Sequence, residues 1–98
     1  MRIVWTRTAQ QQLRERARDI AADNPSAAVK WLTGARDSVA RLADFPLAGR
    51  VIPELREDEL REIIYGDYRI LYRVGETAEV LAVRHGSLPL TSVDLDQD

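Results

Sequence analysis

The sequence has no cysteine, one histidine and one lysine. Without cysteine, neither a disulfide nor a thiolate metal site can form. With His85 as the lone histidine, a multi-histidine metal centre is excluded too. No segment approaches the ~18 consecutive apolar residues of a membrane-spanning helix. The opening MRIVWTRTAQ carries no apolar stretch of signal-peptide length. The expectation is a cytoplasmic protein with no membrane partner. Aromatic residues are few, and Trp5, Trp31, Phe45, Tyr65, Tyr68 and Tyr72 read as core or rim. A platform for stacking nucleic-acid bases would need a basic setting around them.

What is present fits one domain of two layers, because 98 residues support a single core. Charge is close to balance at −2 but unevenly placed. Residues 1–50 carry nine Lys/Arg against five Asp/Glu, a surplus of +4, whereas residues 51–98 carry five against eleven, −6. A protein that grips a phosphate backbone presents a basic surface, and here the second half is acidic.

Arg2–Trp5 is short and β-branched at its centre and reads as a strand. Thr6 or Thr8 can cap the helix that follows, Thr8 with Gln11 at capping-box spacing. Ala9, Leu13, Ala17, Ile20 and Ala21 form its apolar face to about Ala22. Asn24-Pro25 stops this helix and caps the next, whose stripe is Ala28, Trp31, Leu32, Ala35, Val39 and Leu42. Gly34 in that helix suggests close packing on the first helix. Phe45-Pro46 ends the helical hairpin, and 46–59 reads as a connection whose Glu54, Glu57, Asp58 and Glu59 suit a solvated face or a basic partner. Leu60–Tyr65, Tyr68–Val74 and Ala78–His85 then read as three strands, the first two joined by a Gly66-Asp67 turn with glycine first. The predicted class is α+β, in the order β-α-α-β-β-β, with the helices on one sheet face and the other face partly open. Residues 1–86 make the domain. Residues 87–98 make an acidic tail from which Leu90, Val93 and Leu95 could dock.

The strands contain arginines that a strand built only for a core does not need. Side chains alternate along a strand, so Arg69, Leu71 and Arg73 share one face, and Tyr68, Ile70, Tyr72 and Val74 take the face under the helices. If Val74 pairs with Ala78, then Leu81, Val83 and His85 join the Arg69 face. Arginine and histidine together could hold a phosphodiester and move a proton. Equally, Glu62, Asp67 and Glu79 are at hand to pair with the arginines. Arg61 is expected on the Tyr72 side, as a half-buried cation paired with an acid and tied to backbone carbonyls.

Taken together, Trp5-Thr6, Asn24-Pro25-x-x-Ala28, Leu42-x-x-Phe45-Pro46-x-x-Gly49-Arg50, Leu60-Arg61-Glu62-Ile63, Tyr68-Arg69-Ile70-Leu71-Tyr72-Arg73-Val74 and Val83-Arg84-His85-Gly86 resemble the ParE/RelE superfamily of toxins from bacterial type II toxin–antitoxin systems. The resemblance runs from Arg2 to Gly86. It implies a small sheet backed by a helical hairpin, a cognate antitoxin as partner and no cofactor. RelE-like members cut mRNA on the ribosome, and ParE-like members poison DNA gyrase. Arg69 falls on the phosphate-holding arginine of the nucleases, Arg61 near one of their lysines and His85 near the histidine of their His–Tyr subgroup. Gly86 stands where that subgroup has tyrosine. The Val83-Arg84-His85-Gly86 ending resembles the ParE branch. The resemblance thus implies a gyrase inhibitor of the plasmid-stabilisation type with no catalytic residues. In that reading Arg69, Leu71, Arg73 and His85 form a partner face and Arg61 a structural ion pair. A ribosome-dependent nuclease using Arg69 and His85 is the alternative.

Overall fold

The first strand, β1 (Ile3–Trp5), ends at Thr6, whose hydroxyl accepts the Ala9 N–H at 3.1 Å and caps α1 (Arg7–Asp23). The cap is therefore Thr6 and not Thr8. Asn24 serves two helices. Its N–H donates to the Ile20 carbonyl at 2.9 Å, closing α1, and its Oδ1 accepts the Ala27 N–H at 3.1 Å, opening α2 (Pro25–Ala40). Pro25 occupies the first turn, where its missing N–H costs no helical bond. A 3-10 turn, Arg41–Ala43, follows, and then β2 (Arg50–Val51), β3 (Leu60–Tyr65), β4 (Tyr68–Val74) and β5 (Ala78–His85). The computed structural model describes residues 1–91 and Leu95.

The five strands form one sheet in the order β1-β5-β4-β3-β2. β1 runs parallel to β5, and every other neighbouring pair is antiparallel. This is the α+β arrangement expected from the sequence, with β2 added inside the segment read as a connection. Two residues are too few to leave a periodic signal. Gly66 has φ 56°, as a glycine-first hairpin turn requires.

The helical hairpin covers one sheet face, where Ile70, Tyr72, Val80 and Val83 meet Leu13, Ala35, Val39 and Leu42. Beyond Val80, β5 has no β1 partner, and Gln12 of α1 accepts the Val83 N–H at 2.7 Å in its place. Gly34 does not serve contact with α1. A Cβ there would lie 2.0 Å from the Tyr65 hydroxyl oxygen, and that hydroxyl donates to the Trp31 carbonyl at 3.2 Å. The glycine makes room for a β3 tyrosine that docks on α2.

The opposite face is not open. Ile52, Leu60, Leu71, Leu81, Ala82, Leu90 and Leu95 form a second buried cluster there. A β-bulge in β5 turns both Leu81 and Ala82 to this side and widens its apolar floor. Leu90 and Leu95 of the tail dock on it. Val93, named with them from the sequence, lies outside the described residues.

Candidate functional site

The strand arginines have sharply different surroundings. Tyr65 pairs with Tyr68 across the Gly66-Asp67 turn, so Ile64 faces Arg69 and Glu62 faces Leu71. Glu62 is then the diagonal neighbour of Arg69 on one face, within reach of a long side chain. The Arg69 Nε donates to Glu62 Oε1 at 2.5 Å, while its two terminal nitrogens donate to Glu54 at 2.7 and 2.8 Å. The Glu62 side chain is fully buried, and its second oxygen accepts from Arg50 Nε at 2.5 Å. The result is a chain of alternating charge, Arg50–Glu62–Arg69–Glu54. The hydrogen bonds from Arg69 hold the Glu54 carboxyl at about 2, well below its ordinary value. Glu54 in turn raises Arg69 further.

Glu54 comes from the loop after β2. Ile52 anchors that loop in the second cluster, and its carbonyl accepts the Arg56 N–H at 3.0 Å. Arg56 completes the turn with φ 54°, a left-handed conformation that few non-glycine residues adopt. The acidic stretch of this loop therefore divides. Glu54 is consumed by Arg69, while Glu57, Asp58 and Glu59 remain exposed.

His85 does not join Arg69. Val74 does pair with Ala78, but the bulge inserts Leu81 between the Tyr72–Val80 and Leu71–Ala82 pairs. Alternation is reset at that point, so Val83 enters the cluster under the helices, and His85 pairs with Tyr68. Only Leu81 of the three lies on the Arg69 side. The His85 ring meets the Tyr68 ring edge-on at 5.3 Å, and Tyr68 also contacts Trp31 at 5.7 Å and carries the Arg16 guanidinium 5.2 Å from its centroid. His85 Nδ1 accepts the Ser87 N–H at 3.1 Å, which leaves the proton of the neutral ring on Nε2. A shallow hollow of about 250 Å³ at the hairpin end is bordered by both His85 and Arg69. The Arg69 guanidinium, however, is directed at the two carboxylates.

The other expected face residues also separate. Leu71 is fully buried in the second cluster, and Arg73 is exposed, opposite Glu79 in register. Arg61 lies on the Tyr72 side as expected but has no acid partner among the described residues. Its Nε donates to the Asp58 carbonyl at 3.0 Å, and its Nη1 to those of Gly49 at 3.0 Å and Leu47 at 3.4 Å. Tyr72 completes this corner. Its hydroxyl donates to the Pro46 carbonyl at 2.8 Å and accepts the Gly49 N–H at 2.9 Å, and burial raises its pKa. The structural ion pair belongs to Arg69, not Arg61. Arg50 and Glu54 were the missing members, since neither lies in a strand long enough to read from sequence.

The fold is a small α+β domain in which Arg69 is held by Glu62 and Glu54, and His85 lies against Tyr68 on the other sheet face. The comparisons specify the class. The family model for the ParE toxin of type II toxin–antitoxin systems matches residues 3–88. Y4kP, a candidate toxin of Sinorhizobium fredii, is 35% identical over 86 residues, covering 86% of each chain. Among solved structures, a chain of the chromosomal ParDE system of P. aeruginosa superposes with a TM-score of 0.73 at 20% identity, over 87% of this chain and 95% of that one. A chain of the RelBE2 toxin–antitoxin complex of Mycobacterium tuberculosis gives 0.51 at 26% identity, over 86% and 95%. The chain belongs to the ParE toxin family of type II toxin–antitoxin systems.

Proposed function

We propose that this toxin acts in the cytoplasm by inhibiting DNA gyrase, as a binding protein and not a nuclease, and that a cognate antitoxin neutralises it. The observation that carries the reading is the state of Arg69. The side chain that would hold a phosphate is buried and committed to Glu62 and Glu54. The only histidine sits on the other side of the sheet, against Tyr68. A nuclease that loses a general acid–base residue loses ~10²–10⁴-fold in rate. His85→Gln is therefore expected to remain toxic and to keep inhibiting supercoiling. The test sets purified protein in a gyrase supercoiling assay beside a ribosome-programmed mRNA cleavage assay. Cleavage in the ribosomal A site by the wild type, abolished in His85→Gln, would overturn the proposal.

The antitoxin in this reading supplies a segment that folds as it wraps the toxin. Exposed Glu57, Asp58 and Glu59 favour basic residues where the segment passes the loop. A complex burying well under ~1,000 Å² would refute wrapping.

A further inference from the structure

The loop 44–49, between the 3-10 turn and β2, is fixed from behind and apolar in front. The Phe45 N–H donates to the Arg41 carbonyl and the Ala48 N–H to the Phe45 carbonyl, each at 3.0 Å. Behind the loop, the Tyr72 hydroxyl and the Arg61 guanidinium hold Pro46, Leu47 and Gly49 through their backbone groups. Gly49 packs so closely that a Cβ there would lie 2.6 Å from the Glu62 carbonyl oxygen and 2.7 Å from the Tyr72 ring. A buried tyrosine and an arginine are thus devoted to one short loop. Its two large apolar side chains nevertheless stay outside. Phe45 is 67% and Leu47 60% exposed, and neither belongs to a core cluster. With Pro46 and Ala48 they border one shallow hollow of about 460 Å³. Single exposed apolar residues are ordinary. Two of them together on one rigid loop mark a surface that meets a partner.

Rigidity and charge select the occupant. A side chain presented by a fixed backbone loses little freedom on binding, which suits it to anchor an interface. A segment that folds as it binds brings anchors of its own and needs a groove in its host. Phe45 and Leu47 are displayed in the opposite sense, outward from the folded chain, and fit a pocket already formed on the partner. Arg41 and Arg50 flank the loop, both exposed, and Arg41 has no ion pair among the described residues. Asp44 is the one acid within residues 41–50. The complementary pocket is therefore apolar inside, with carboxylates at its rim. A nucleic acid could meet the arginines but would leave both apolar side chains in water.

We infer that Phe45 and Leu47 are the anchors by which this toxin holds its target, seated in an acid-rimmed apolar pocket of gyrase with Arg41 and Arg50 on the rim, and that antitoxin binding does not depend on them. This rests on the gyrase reading above. The test measures inhibition of supercoiling by purified toxin and, separately, its binding to the antitoxin from the neighbouring reading frame. Phe45→Asp and Leu47→Asp should each raise the half-inhibitory concentration roughly tenfold or more. The Tm of the free toxin and its antitoxin affinity should not change. Arg41→Glu should weaken inhibition less, by a factor that shrinks as salt is raised. Val29→Asp, at a 65% exposed apolar position on α2, should leave inhibition as it is. If Phe45→Asp and Leu47→Asp inhibit as well as Val29→Asp does, the anchors are overturned and the gyrase reading stands. A wild type that does not inhibit supercoiling overturns both. Variants that also lose the antitoxin, or a free toxin whose self-association Phe45→Asp abolishes, put another occupant on the loop and overturn the assignment.

Discussion

Removing Glu62 tests the central physical claim, that the Arg50–Glu62–Arg69–Glu54 chain is a structural element. Breaking a buried ion pair by deleting one partner costs about 3–5 kcal/mol, because the remaining charge stays desolvated. In Glu62→Ala the Arg69 guanidinium keeps both bonds to Glu54, which moves the expectation to the lower end, about 3 kcal/mol. Arg69→Ala leaves the fully buried Glu62 with only the exposed Arg50, and about 4 kcal/mol is expected. Arg50→Ala removes a partner whose side chain is 60% exposed, and such a pair is worth under about 1 kcal/mol. In a domain of this size 1 kcal/mol shifts Tm by about 4–8 °C, so Glu62→Ala should melt more than about 12 °C lower. Equilibrium unfolding in urea, followed by tryptophan fluorescence at constant m, measures each difference. Replacing both charges together, Glu62→Leu with Arg69→Met, should recover most of the loss, since an apolar pair carries no desolvation cost. If Glu62→Ala and Arg50→Ala fall within about 0.5 kcal/mol of each other, the burial of Glu62 has no energetic meaning and the reasoning fails.

Three further outcomes follow from single contacts. Arg61→Ala should cost about 1–2 kcal/mol through its lost carbonyl bonds, and Arg61→Lys should not restore it, because an ammonium lacks the planar fork that spans them; urea midpoints decide this. Gly34→Ala should destabilise despite the ~1 kcal/mol that alanine ordinarily gains in a helix, and Tyr65→Phe in the same chain should relieve part of the loss, read as the coupling term of a double-mutant cycle. Glu54 has its pKa lowered from 4.5 to about 2. Its contribution to stability is therefore present above pH 4.5 and lost as pH falls from there toward 2. Glu54→Gln should flatten the acid limb of a stability–pH curve in that window, and an unchanged limb would contradict the bidentate contact.

Most of the scaffold was legible because each boundary has a local cause. Asn24-Pro25 must end one helix and can start another, and Gly66-Asp67 must turn. The face of β4 followed from alternation within a strand whose only irregularity lies in its partner. The placement of His85 was not legible, because the β5 bulge is carried by Leu81-Ala82, with no glycine or proline to mark it. One inserted residue moves every later side chain to the other face. The partners of Arg69 were legible in part. The turn register puts Glu62 on its face, but Glu54 arrives from an irregular loop whose path depends on Ile52 being buried and Arg56 adopting a positive φ. The second core was illegible for a related reason: its floor is the bulge.

The same two carboxylates decide what the arginine face can do. An anion approaching Arg69 must displace Glu54, which holds it through two hydrogen bonds, and must then sit beside the negative charge of Glu62. Glu54 is tethered to the same chain, so it competes at the high effective concentration of an intramolecular ligand. A phosphate in solution has no such advantage, and the acidic half of the chain repels it further. What remains free to meet a macromolecule is the surface whose hydrogen bonds and apolar area the fold leaves unspent. That surface lies along the β3 edge and over Phe45 and Leu47. Sequence similarity draws the eye to Arg69 and His85 because their residue types can do chemistry, but their neighbours have already committed the arginine to holding the sheet and its loop together.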